Sequence, residues 1–364
     1  MTVVPHRTVL TDGVDSLGRQ RRLVTLVTLL ALIFCLALAV LSIGVGAVSM
    51  PPARVITVLW QALVEPSAVP DLDRLVIVGL RLPRVTADLL VGGLLATAGA
   101  LMQGLFRNPL ADPGLLGVSS GAALAAAATI VLGDALLGVA ALPFAVLPVA
   151  AFLGELAATY LIYRIATRNG RTAIETMILA GIALGAFANA LTGLLSYVST
   201  DLQLRDLTFW MLGSLAGASW GKVACLALAA IPLVLTAPLI GRGLNALAFG
   251  EAEAYYLGLH VERLKGLVMV LTAVAVGVSV AVSGVIGFVG IVAPHLVRLA
   301  IGADHRSLLP LSAIAGATLL TGADLLARTI VAPAELPVGI LTASLGAPFF
   351  LWLLLRRSKS EGSA

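Results

Sequence analysis

Ten apolar stretches, each long enough to cross a bilayer, run through this chain almost from end to end. About 20 apolar residues in a helix span a hydrocarbon core of about 30 Å. Hydrophobic residues make up 59% of the chain and charged residues 12%, with a mean hydropathy of +1.04. A soluble domain carries about 25% charged residues, so this chain has too little polar surface to live in water. The expected fold is an all-α integral membrane protein of about ten transmembrane helices.

The runs place those helices at 23–49, 85–106, 114–133, 141–167, 172–198, 219–240, 264–284, 285–301, 308–331 and 339–357. Residues 264–301 form one nearly continuous apolar run, too long for a single span, and divide best at Ser283-Gly284. The apolar core of the first span, Leu23 to Val48, is too long for a cleaved signal peptide, and no A-x-A-type site follows it. The organisation expected is a tail at 1–18, one transmembrane domain at 19–357 and a short tail at 358–364. Cys35 and Cys225 both fall inside spans, which argues against a disulfide framework. No heptad or solenoid repeat is visible.

An even number of spans puts both termini on one side. With that side cytoplasmic, the inner loops and tails receive sixteen of the 23 Lys and Arg residues. The outer side receives Arg54, Arg74, Arg81, Arg84, Arg205, Lys222 and Arg328. This bias fits cytoplasmic termini and accounts for the net charge of +4 without a nucleic-acid partner.

Strings that look catalytic fail on their context. Gly117-Val118-Ser119-Ser120-Gly121 matches G-x-S-x-G, but a Pro-Gly turn precedes it and an alanine-rich membrane helix follows, where a nucleophile elbow needs strand then helix. Gly241-Arg242-Gly243-Leu244-Asn245-Ala246 follows a membrane helix rather than a strand, so it is no dinucleotide fingerprint. Gly221-Lys222 lacks the rest of a phosphate loop, with Ala216 at the first glycine position and Val223 where Ser or Thr belongs. His6, His260, His295 and His305 are scattered without metal-ligand spacing. The chain is therefore expected to have no catalytic centre, no metal site and no nucleotide site of its own.

The informative strings lie at span ends. They are Arg81-Leu82-Pro83-Arg84, Arg107-Asn108-Pro109-Leu110-Ala111-Asp112-Pro113-Gly114, and the inner loop from Leu247 through Phe249-Gly250-Glu251-Ala252-Glu253 to Leu257-Gly258. Gly287-Phe288-Val289-Gly290 leads to Pro294-His295, Asp324 and Arg328 stand near the outer end of span nine, Glu335-Leu336-Pro337 follows, and Gly346-Ala347-Pro348-Phe349-Phe350 lies near the end. From about residue 75 to 357 this set resembles the membrane permease subunits of bacterial ABC importers for iron-siderophores, haem and cobalamin. The resemblance implies an inverted-repeat permease in the bacterial inner membrane that works as a homodimer with the pathway between the two copies. It implies two cytoplasmic ATPase subunits, which carry the ATP and magnesium, and a periplasmic binding protein that delivers the ligand.

On that resemblance Arg81, Arg84 and Arg328 would dock acidic residues of the binding protein, since a guanidinium forks onto a carboxylate with two hydrogen bonds. The alternative is headgroup anchoring and local pairing, because Asp324 and Arg328 are an i, i+4 pair. The loop 247–258 fits a short coupling helix laid into a cleft on the ATPase, through Phe249, Gly250, Glu251, Glu253, Leu257 and Gly258. Its acidic charge argues against a loop lying on anionic lipid.

In span five, Gly181, Gly185, Asn189 and Gly193 form one stripe at four-residue spacing. Small residues there allow close packing or leave room for a large solute; the resemblance implies the pathway. The outer segment from Gln203-Leu204-Arg205 to Phe209-Trp210-Met211 looks more like haem permeases than cobalamin ones. Arg205 could meet a haem propionate, and Phe209, Trp210 and Met211 offer apolar contact. Equally, Arg205 could pair with Asp201 or Asp206 while the aromatics sit in the interfacial belt. Glu155 lies deep in span four, where a mid-bilayer charge costs about 2.5–3.5 kcal/mol; a partner inside the bundle is expected. His295 and Arg298 are expected to satisfy backbone freed by Pro294. Haem import is the leading function, ferric-siderophore or cobalamin import the second. An ion-coupled secondary transporter is the rival from another class, separated from both by dependence on ATPase subunits.

Overall fold

The computed structural model describes residues 7–46, 50–65, 69–114, 117–137 and 143–361. The chain is almost wholly helical: α1 (Arg7–Gly44), α2 (Pro52–Val64), α3 (Asp71–Asp73), which runs through a π-helical segment Arg74–Arg81 into α4 (Leu82–Leu105), α5 (Val118–Leu137), α6 (Pro143–Ala166) and α7 (Ile174–Val198). Then come α8 (Asp201–Met211), α9 (Trp220–Leu247), α10 (Glu251–Tyr256), α11 (Val261–Ser283), α12 (Val289–Ile301), α13 (His305–Ala327) and α14 (Val338–Glu361). Between α6 and α7 a hairpin pairs β1 (Thr167–Arg168) antiparallel with β2 (Arg171–Thr172), in register Thr167 with Thr172. Its two-residue turn, Asn169-Gly170, has φ 52° and 73°, the left-handed pair such a tight turn demands.

Each of the ten expected spans meets a helix. Seven helices among the described residues are long and apolar enough to cross a membrane. The first of them begins well before residue 23: α1 is already helical at Arg7, inside the stretch expected as a tail. The division at Ser283-Gly284 is where α11 ends. Gly284 takes φ 70°, and a side chain there would run into the Trp210 carbonyl. The expectation of a full eighth span is corrected. Residues 284–288 are not helical, and α12 has only 13 residues, about 20 Å of helix against a core of about 30 Å.

α4 is the axis of the bundle. Most of its residues are buried, ringed by α9, α11, α12 and α13. Small residues make this possible, since close helix crossings in lipid are won by van der Waals packing. At Gly99 a methyl group would overlap the Gly290 carbonyl oxygen of α12. A second group, α5, α6 and α7, joins the first mainly through α6 against α11. α1 lies on α13 and exposes Leu26, Leu30, Ile33 and Phe34, an apolar face suited to lipid. α2 is amphipathic: Val55 and Val58 are buried while Ile56, Trp60 and Leu63 are exposed. α8 starts with a capping box, in which Thr200 Oγ1 accepts the Gln203 N–H and the Gln203 side chain accepts the Thr200 N–H.

Polar links cross the apolar interior. Arg298 donates to Gln103 Oε1 (2.9 Å), not to backbone freed by Pro294. His295 sits edge-on to Phe349 at 5.9 Å, and its Nδ1 has no hydrogen-bond partner among the described residues. Glu155 is fully buried against Gly277 of α11, and neither carboxyl oxygen has a hydrogen-bond partner among the described residues, so the expected pairing inside the bundle is not found.

Candidate transport pathway and coupling surface

At the end that carries the arginine-rich loops, α10 stands out from the bundle. Ala254 is its buried anchor, while Phe249 and Tyr256 are 78% and 87% exposed and Tyr255 and Leu257 are also exposed. Lys265 of α11 lies beneath at 1% exposure. Its ammonium donates to Glu251 Oε2 (2.9 Å), Glu262 Oε1 (3.0 Å) and the Thr172 carbonyl (2.9 Å). Glu262 Oε2 in turn accepts the Thr172 N–H (3.0 Å). One buried cation therefore ties α10, α11 and the hairpin together, with all three of its donors used. Glu251, expected in the coupling loop, faces inward to Lys265 because a buried ammonium needs a carboxylate. Glu253 is exposed and folds back toward Gly250. Tyr255, Tyr256 and Lys265 were not among the expected coupling residues. The available signal was an aromatic pair in a short polar loop and a lone lysine just inside a span.

At the opposite end the three expected docking arginines are turned inward. Arg84 is 14% exposed and forks onto Asp324 (2.8 Å), itself 1% exposed, and it also reaches Glu335 (3.0 Å). Arg328 pairs with Asp324 (3.2 Å) and donates to the Ser42 carbonyl (2.6 Å), the Ser42 hydroxyl and the Val45 carbonyl (2.8 Å). Arg81 donates to the Ile43 and Gly44 carbonyls (2.8 and 3.1 Å). The carbonyls at the end of α1 have no intrahelical partners and carry the negative end of the helix dipole, so guanidinium groups belong there. Local pairing, the alternative weighed for these arginines, is what the structure holds: their donors fix α1, α4, α13 and the segment before α14 in place.

The expected pathway residues divide. Gly181 and Gly185 are packing positions, since Gly117 lies so close that a side chain on it would strike the Gly181 carbonyl. Gly193 faces open space. Asn189 and Met211 line a cavity of about 400 Å³ with Ser119, Ser120, Phe288 and Phe350. Phe288 holds φ 67°, a left-handed conformation that costs a non-glycine residue about 1–2 kcal/mol, with its ring packed on Gly346 of α14. Phe209 and Trp210 line a second cavity of about 560 Å³ with Gln203, Asp206 and Lys222. Arg205 is exposed on α8, 5.9 Å above the Phe209 ring. It makes no ion pair among the described residues, so pairing with Asp201 or Asp206 is not found.

Long apolar helices, cavities along them and exposed aromatic rings at the basic end suit the membrane subunit of a transporter. The FecCD transport family matches residues 30–356, and the chain belongs to that family. It is 49% identical over 282 residues to the hemin transport system permease protein HmuU of Yersinia pestis, covering 78% of this chain and 84% of that one. It is 46% identical over 283 residues to the vitamin B12 import system permease protein BtuC of Klebsiella pneumoniae, covering 78% and 83%. Its fold is similar, at a TM-score of 0.76 and 32% identity, to a metal-chelate-type ABC transporter in an inward-facing conformation, covering 91% of this chain and 99% of that one. The chain is thus an ABC importer permease of the bacterial inner membrane, a transport subunit rather than an enzyme.

Proposed function

We propose that this permease imports haem, working as a homodimer driven by two separate ATPase subunits and fed by a periplasmic binding protein, with its termini in the cytoplasm. The observation that carries the haem reading is Arg205. An exposed guanidinium with no ion pair among the described residues stands over Phe209 at 5.9 Å, with Trp210 and Met211 alongside. A flat apolar ring with propionates at its edge offers what that group lacks. The identity to the hemin permease supports the same reading. Phe249, Tyr255, Tyr256 and Leu257 form the apolar face that enters the ATPase. The binding protein docks on the outer end, whose shape the Arg84–Asp324–Arg328 cluster maintains from beneath.

The second reading, cobalamin, rests on the 46% identity to the vitamin B12 permease; a ferric siderophore is the third. Purified alone, the chain will hydrolyse no ATP. In the reconstituted complex with its binding protein, ATP hydrolysis will rise with haem and not with cobalamin or a ferric siderophore. Arg205→Ala will remove most of that rise while leaving basal hydrolysis unchanged. Stimulation by cobalamin alone would replace haem with the second reading.

A further inference from the structure

A third void lies away from the two on the pathway side. It is a groove of about 760 Å³ at the basic end, between α1 and α9 where both pack on α4 and α13. Its rim holds Arg21 of α1, Arg242 of α9 and Arg306 of α13. All three are exposed, and none makes an ion pair among the described residues. Three helices distant in sequence thus bring three exposed guanidinium groups to one opening.

The acidic group in the lining is Asp304, and it is already engaged. It accepts from Asn245 Nδ2 (2.6 Å) and from the Arg306 N–H (3.0 Å) as the cap of α13. Burial works against its charge, but these hydrogen bonds and the neighbouring Arg306 hold the Asp304 carboxyl below its ordinary range. Ser307 adds a hydroxyl to the polar rim.

Below the rim the lining turns apolar, through Leu233, Val234, Ala237, Pro238, Leu309 and Ala313. From Arg242 to Leu233 α9 runs about 14 Å, close to half of a hydrocarbon core of about 30 Å. A free anion would use the rim and leave the floor wet. An anionic phospholipid satisfies both parts, with phosphate at the guanidinium groups and an acyl chain along the floor. Basic pockets between helices on the cytoplasmic side suit such headgroups.

We propose that the groove between α1, α9 and α13 is a binding site for an anionic phospholipid, which fills the gap and fastens α1 to the bundle. The occupant is a lipid rather than a free phosphate, because the apolar floor is part of the site.

The test titrates the full chain, in a neutral detergent, with phosphatidylglycerol, with phosphatidylcholine of the same acyl chains and with inorganic phosphate. Bound lipid is counted by native mass spectrometry, and the thermal unfolding midpoint is followed in parallel. Phosphatidylglycerol will bind and raise the midpoint, phosphatidylcholine will bind at least about tenfold more weakly, and millimolar phosphate will not displace the lipid. Each neutralised arginine weakens the site about fivefold, so R242Q/R306Q will lose about 25-fold while R242K/R306K keeps most of the affinity. Val234→Trp, which fills the floor without touching charge, will also weaken phosphatidylglycerol, and it carries the test if the arginine variant folds poorly. Equal binding of the two lipids, unchanged binding by R242Q/R306Q, or full displacement by phosphate would overturn the proposal.

Discussion

Asp324→Asn will destabilise the purified chain by about 3–5 kcal/mol, the penalty for removing one member of a buried ion network. Asp324 is 1% exposed, accepts from Arg84 at 2.8 Å and is ion-paired with Arg328 at 3.2 Å. Asparagine keeps the shape but takes away the carboxylate that both guanidinium groups pair with, leaving Glu335 on Arg84 and the buried Asp88 near both. Arg328 still has the α1 carbonyls, so the loss falls mainly on the α4–α13 contact. Arg84→Lys is the informative companion. It retains the charge and loses the fork, and its loss should be smaller. Thermal unfolding in detergent, with no binding protein present, measures both. A wild-type midpoint for Asp324→Asn would mean that the cluster holds nothing together, and the arginines would return to the partner surface.

Glu251→Lys will be as severe at the other end, by about 3 kcal/mol or more. It removes a carboxylate 2.9 Å from a lysine that is 1% exposed and sets a second cation beside it. Lys265 keeps only Glu262 as a charged partner, and that pair alone cannot hold α10. The expected readout is early hydrogen exchange in α10 and in the Thr167–Thr172 hairpin, with loss of ATPase association. Tyr256→Ala provides the contrast. Its side chain is 87% exposed, so stability should stay within about 0.5 kcal/mol, while ATPase association weakens about tenfold or more if the ring is an interface anchor. A Glu251→Lys chain with native exchange and native assembly would show that Lys265 needs no partner there.

The bundle was legible in the sequence because the bilayer sets a length, and apolar runs of that length have one structural use. The same signal overran the start of α12. The non-helical segment at 284–288 is as apolar as a helix, so hydropathy ran on through it. α8 and the hairpin were legible in principle, by the Thr200–Gln203 capping box and the Asn169-Gly170 turn, but both lie outside the spans that hydropathy marks. The site was harder. Counting arginines on the outer side says nothing about their partners, and Arg84 meets a carboxylate 240 positions away. Glu251 looked like a surface charge because its partner, 14 positions on, sat inside a span where a lysine has no obvious use. Gly181 and Gly185 had two physical readings, and only the closeness of Gly117 decides for packing.

The most direct test of the account is haem accumulation in proteoliposomes that hold this chain with its ATPase subunits, supplied with haem-loaded binding protein. Accumulation should require ATP and the ATPase subunits, persist when proton and sodium gradients are collapsed, and fail with Tyr256→Ala. Accumulation by the chain alone, driven by an ion gradient and indifferent to ATP, would contradict it.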